Sequence, residues 1–311
     1  MGQEWVNKLS FNSDFQIIQL WLEQTADFKK ILEERLPFPE SNYFDAIPLL
    51  RVVEVPGTFL NPQDFHQLEK SLHTITQCIH FLSDKADNYP QLYKLAQRIS
   101  LDEKIRKTII SKIDNNGDIR DNASPLLRKI RTNILQGKQN ARKLLNQLLK
   151  KSVNDGIAPK ESLLTVRAGR MVIPILTEHK KRIKGFIHDE SSTGQTYFIE
   201  PTEVLEINNH VAELELQEKR EIIRILIELT DYLRAFIPDL MRAFNFLGQI
   251  DFIRAKAKFA NKLDCQIPIL VKKPTIQLVK ARHPLLQLSF LQQNKEIVPL
   301  SLTLHSKQRI V

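Results

Sequence analysis

Cysteine is nearly absent from this chain: Cys78 and Cys265 are the only two. They stand about 190 positions apart, which excludes a disulfide framework and fits a reducing, cytoplasmic compartment. Glycine is scarce too, at nine residues. No pair has the spacing of a G-x-x-x-x-G-K-[ST] loop, so the sequence has no evident means of holding a nucleoside triphosphate by itself. No stretch approaches about 18 uninterrupted apolar residues, which argues against a membrane span and a membrane partner. The first residues, "MGQEWVNKLSFNSDF", lack the basic flank and apolar core of a secretory signal. What is present is ordinary globular composition: 311 residues, 42% hydrophobic and 26% charged, enough for two or three domains.

Charge is the first positive signal. The net charge is +9, and it is unevenly spread. Between Arg128 and Lys184 stand fifteen Lys and Arg against three acids, Asp155, Glu161 and Glu178. The rest of the chain is slightly acidic. A solvated helix face would explain a scattered basic run. Concentration into one block points instead to a polyanionic partner, nucleic acid first.

The first third reads as helix. Asn61-Pro62 is an N-cap followed by Pro at the first helical position. Phe65, Leu68, Leu72, Ile75, Ile79 and Leu82 then form one apolar stripe. Looser patterns predict helices over Phe15 to Leu36 and Gln91 to Lys112. A turn at Asn116-Gly117 breaks the pattern. Ser124-Pro125 starts a basic helix that runs to about Lys151, with Gly137 as a candidate bend.

The period then changes. Short β-branched and aromatic runs between Leu163 and Glu200 predict three to four strands. Thr202 caps a further long helix to Phe236, about 34 residues or roughly 50 Å. Such a helix needs a partner along its length. Two long helices bracketing a β insert most simply run antiparallel and carry the insert at their far end. A return helix is expected from about Asp239 to Leu263. The final stretch, "PTIQLVKARHPLLQLSF" through "KEIVPLSLTLHSKQRIV", alternates like strands.

Several tempting motifs fail on geometry. His66, His73 and His80 recur every seven residues, which on a helix separates them by about 10 Å, too far to share a metal ion. "DNNGD" (Asp114 to Asp118) has Ile119 and Pro125 where a calcium loop needs Gly and Glu, so it reads as a turn. "IHDESSTGQTYFIEP" (Ile187 to Pro201) crowds His188, Asp189 and Ser191 together. Strict strand alternation places His188 with Glu190 on one face and Asp189 with Ser191 on the other, which argues against a His–Asp catalytic pair. "SSTGQ" then reads as the turn of a hairpin.

Four runs carry a family resemblance: "IDNNGDIRDNASPLLRKIR", "TVRAGRMVIPI", "KGFIHDESSTGQTYFIEPTEVLEINNHVAELELQEKREI" and "ARHPLLQ". They resemble the MutS family of DNA-repair ATPases, in its MutS-two branch. The resemblance implies a helical core, a lever of two long helices, and a β-rich clamp at its tip that touches nucleic acid. It implies that "ARHPLL" (Ala281 to Leu286) opens an ATPase domain, with the P-loop just beyond the strand that Arg309 to Val311 would begin. The expectation is therefore a segment that ends before the P-loop, whose Met1 need not be native. ATP and Mg belong to the full-length family, and no cofactor is expected in this segment. The full-length family also implies a homodimer.

The fold expected is mainly α with a small β insert, an α+β class. The expected divisions are a helical core at 1–123, an ascending lever helix at 124–152, a β-rich clamp at 153–201, a descending lever helix at 202–237, a core return helix at 238–270, and the start of an ATPase domain at 271–311. The expected function is a non-catalytic nucleic-acid grip on duplex or branched DNA, serving DNA repair and suppression of recombination. Candidate phosphate contacts are Arg142, Lys143, Lys150, Lys151, Lys160, Arg167, Arg170, Lys180, Lys181, Arg182 and Lys184. The alternatives are a stalled-ribosome factor contacting rRNA, and a dimerisation or partner-docking scaffold built on the helix stripes. A hydrolase using His188 is a third reading.

Overall fold

The computed structural model describes residues 2–7, 9–167 and 169–307. Along the chain come α1 (Gly2–Asn7), α2 (Phe15–Glu33), α3 (Ile47–Glu54), α4 (Pro62–Asp84), α5 (Pro90–Ala96), α6 (Glu103–Lys112) and α7 (Pro125–Asn154). Four strands follow: β1 (Thr165–Arg167), β2 (Arg170–Leu176), β3 (Gly185–Glu190) and β4 (Thr196–Pro201). Then come α8 (Thr202–Arg234), α9 (Ile237–Lys262), β5 (Ile276–Ala281), α10 (Pro284–Gln292) and β6 (Leu300–Leu304). The chain is thus mainly helical with small antiparallel sheets, as the sequence predicts. No described helix is long and apolar enough to cross a membrane.

The chain divides into two compact units: residues 1–110 with 230–311, and residues 111–229. In the first unit α1, α2, α3 and α4 all pack on α9. Helix α9 buries Leu240, Phe244, Leu247 and Ile250, and α4 buries Phe65, Leu68, Leu72 and Ile75. The Asn61 signal forms a full capping box, with Asp64 answering the cap backbone. The expected helix over Gln91 to Lys112 is two helices. Asp102 explains the break, because its side chain accepts the Lys104 N–H at 2.8 Å and caps α6 anew. Helix α3 was not expected. Among the described residues of the C-terminal stretch only β5 and β6 are strands, paired antiparallel. Between them "PLLQLSFLQ" is helix α10, begun by His283 at the cap and Pro284 at the first position. Its apolar run is too short for periodicity to separate strand from helix. The strand expected at Arg309 to Val311 lies outside the described residues.

In the second unit α7 and α8 lie against each other in antiparallel order. Ser124 meets Glu221, Arg131 meets Glu218, and Lys138 meets Glu215. Partner numbers fall as the α7 numbers rise. Ser124 Oγ accepts the Leu127 N–H and donates to Glu221 Oε1 at 2.5 Å, so one hydroxyl caps α7 and ties it to α8. Further along, Ile130, Ile134, Val211 and Leu214 form an apolar contact between the helices. Gly137 sits there for space. A Cβ at that position would stand 2.5 Å from Val211 Cγ2. The glycine named as a candidate bend in α7 gives α8 room to approach.

The insert is a four-stranded sheet in the order β1-β2-β4-β3. Strands β2 and β3 both pair antiparallel with β4, so they are parallel to each other. A parallel pair cannot be joined by a tight turn. The segment from Thr177 to Lys184 is therefore a strap that crosses β4.

Candidate nucleic-acid interface

One apolar cluster organises the insert. Ala141, Leu145 and Leu149 of α7, Ile157 and Ala158 of the following loop, Ile173 and Ile175 of β2, Ile199 of β4 and Val204 of α8 are all buried in it. Ile183 of the strap packs against the same cluster. That single apolar residue anchors the strap, while Lys180, Lys181, Arg182 and Lys184 on either side of it stay exposed. A 3-10 turn at Thr177–His179 leads into it. Lys180 Nζ lies 4.8 Å over the Tyr197 ring, which holds one lysine stem across the sheet. The Lys184 carbonyl accepts the Thr202 N–H at 3.0 Å, at the start of α8.

The eleven candidate cations divide. Arg142, Lys143, Lys150 and Lys151 are exposed on the last turns of α7. Lys143 and Lys150, seven apart, share a face; Arg142 and Lys151 lie on either side of the buried stripe. Lys160 is exposed on the loop that sends Ile157 and Ala158 into the cluster. Together with the strap these cations surround one core. None of them has an ion-pair partner among the described residues.

Arg167 and Arg170 meet a different fate. They face each other across β1 and β2, on the sheet face turned away from the cluster. Arg167 Nε lies 3.0 Å from Asp189 Oδ2, and its guanidinium covers the Phe198 ring at 4.4 Å. Arg170 Nη1 donates to Glu200 Oε1 at 3.3 Å. Glu200 is only 1% exposed, so this charge is paired inside the protein. Elsewhere in the basic block, Arg131 pairs with Asp121 and Glu218, and Lys138 with Glu215. Among the described residues, every carboxylate paired with a Lys or Arg of the block lies outside it in sequence. Its two partners hold the Arg131 guanidinium still more firmly protonated, although burial works against this.

Glu200 was not among the candidates. It gathers three donors: Arg170, His188 through Nε2 at 2.8 Å, and the Asn208 amide at 2.6 Å. Its signal in the sequence is a single acid inside the apolar run "YFIEP". Gly185 makes room for the strand beside it, since a Cβ there would lie 2.3 Å from the Glu200 carbonyl oxygen.

The crowded stretch at His188 is a hairpin, as expected, but strict alternation fails within it. The register jumps from Ile187 to Asp189 across a bulge at His188. The bulge lets His188 and Asp189 act on one side of the sheet with separate partners, Glu200 and Arg167. Ser191 Oγ accepts the Thr196 N–H at 3.0 Å and so closes the turn. Gly194 completes it at φ +69°. All three groups are occupied in building the hairpin. Among the described residues no three His, Cys, Asp or Glu side chains converge on a metal site.

No protein-family model matches the chain. Individual relatives do. It is 32% identical over 289 residues to an Endonuclease MutS2 of Geobacillus sp. (strain WCH70), covering 92% of this chain and 37% of that protein. To the Endonuclease MutS2 of Ligilactobacillus salivarius it is 33% identical over 292 residues, 93% of this chain and 37% of the relative. For that of Alkaliphilus oremlandii the identity is 34% over 292 residues, 92% of this chain and 36% of the relative. The chain spans a little over a third of the length of the curated relatives it matches. The similarity covers 92–93% of this chain, and over that length the chain is MutS2-like.

Proposed function

We propose that the second unit is a grip on the phosphate backbone of duplex or branched DNA, acting in DNA repair and recombination. The observation that carries this reading is the set of nine cations around one apolar core that have no carboxylate partner among the described residues. Unpaired Lys and Arg in a group attract a polyanion and release its counterions. Such contacts position a backbone without reading sequence. In this reading α7 and α8 are the lever, and the insert they carry is the clamp. The relatives' name, endonuclease, describes proteins nearly three times as long as the matched part; only nucleic-acid contact is carried over to this chain. The reading asks no ATP or Mg of the insert.

The test is the salt dependence of binding by the intact chain. Engaging about six phosphates gives a slope near −5 in log K against log salt. A slope near zero would overturn the proposal. The same titration with duplex DNA, branched DNA and ribosomes separates the targets. Tighter binding to ribosomes than to either DNA at matched salt would move the site to rRNA.

A further inference from the structure

The first unit contains a cavity of 640 Å³ among α1, α2, α3, α5 and α9. Its size lies inside the range of small-molecule sites. Both tryptophans of the chain, Trp5 and Trp21, line it. Trp5 stacks on Phe252, with centroids 6.4 Å apart and planes 21° apart. Three cations also line it: Arg51, Arg98 and Lys256. None of the three has an ion-pair partner among the described residues. Lys256 Nζ lies 4.8 Å over Phe252, and burial holds its amine below the usual lysine range. The only acid of the described lining, Asp45, already accepts the Ile47 N–H at 3.1 Å.

Gln24 is the decisive group. It is 5% exposed and lines the cavity, yet it makes no hydrogen bond to any described residue. Buried amides are ordinarily paired. Among the described residues no partner meets this one, and it borders the cavity. An apolar ligand would leave Gln24 and three cations unanswered. An inorganic anion would leave the aromatic rings unused.

We infer that this cavity binds one nucleotide, with its base against the tryptophans and its phosphate between the cations, either as a free nucleotide or as the end of a strand. Stacking on aromatic faces contributes about 1–3 kcal/mol per base. A glutamine amide offers the donor–acceptor pair that an adenine edge requires. The site is independent of the strap on the second unit.

Tryptophan fluorescence of the intact chain reads the cavity directly, because both tryptophans line it. The probes are AMP, adenosine, inorganic phosphate and a 5′-phosphorylated oligo-dA. AMP should give saturable quenching, with adenosine and phosphate each weaker by about tenfold or more. Saturation by the oligonucleotide as well would extend the site to strand ends; saturation by AMP alone would restrict it to free nucleotide. Arg98→Glu, on the exposed rim, and Gln24→Leu should each weaken AMP about tenfold. If Gln24→Leu fails to fold, Arg98→Glu decides. Charge reversal of the strap (Lys180, Lys181, Arg182 and Lys184 to Glu) should leave AMP affinity unchanged. Absence of saturation with AMP and oligonucleotide, unchanged affinity in Arg98→Glu, or loss of AMP in the strap variant would each overturn the inference.

Discussion

The strap and the β1–β2 hairpin are both basic, and in the sequence they read alike. In the fold they are opposites. Arg167 and Arg170 are held by Asp189 and Glu200 on one face of the sheet. Among the described residues Lys181, Arg182 and Lys184 meet no carboxylate, and Ile183 between them pins the backbone to the apolar cluster. A positive residue is available to a ligand only when its own fold has not already paired it. Counting basic residues therefore overstates a nucleic-acid surface wherever a buried acid lies within reach.

The largest effect should come from reversing the strap. Lys180, Lys181, Arg182 and Lys184 to Glu should weaken binding about 100-fold or more and flatten the salt slope by about three to four units, for every DNA sequence alike. The melting temperature should hardly move. An unchanged affinity would remove the strap from the interface and break the comparison.

Glu200→Ala should strike stability instead. It strands Arg170, His188 and Asn208 beside a buried gap, at a cost of about 3 kcal/mol. Denaturant unfolding measures this, and the salt slope below the transition should stay within about one unit of the parent. Asp189→Asn sharpens the contrast further. It frees Arg167 and should cost under about 1 kcal/mol, because that pair is half-exposed. If pairing is what withholds Arg167 from DNA, the slope becomes steeper by up to about one unit.

The smallest effect lies at the other end of α7 and α8. Hydrogen bonds from Arg224 and then Ser124 hold the Glu221 carboxyl below its ordinary value of 4.5. A depressed carboxylate stabilises the fold above its unfolded value, and the contribution is lost as pH falls through the lower folded value. Glu221→Gln should thus be less stable than the parent at neutral pH, and the two should converge in acid below 4.5. Curves that stay parallel into acid would show that the carboxylate charge is not what ties Ser124 to α8.

Much of this was legible beforehand because it is local. The Asn61 and Ser124 caps, the α4 stripe, the hairpin turn at Gly194 and the basic block each need only a few consecutive residues. Where local signals were thin, the reading slipped. The looser pattern over Gln91 to Lys112 merges two helices, because the break rests on one local cap at Asp102. A short apolar run hid α10 among strands. Gly137 has a helix-breaker's identity, but its reason is a valine on another helix.

The sequence by itself determined the long helices, where the β insert interrupts them, and that the positive charge collects around it. Helix periodicity, capping and charge are properties of neighbours along the chain. The tertiary structure decided which of those charges are free. Arg170 and Glu200 are 30 positions apart, His188 and Glu200 are 12, and Ser124 and Glu221 are 97. The pairings at Glu200 depend on β4 lying between β2 and β3, joined by a strap that crosses it, and on a one-residue bulge at His188. Neither leaves a mark in composition or period, because both arise only when distant strands choose their partners.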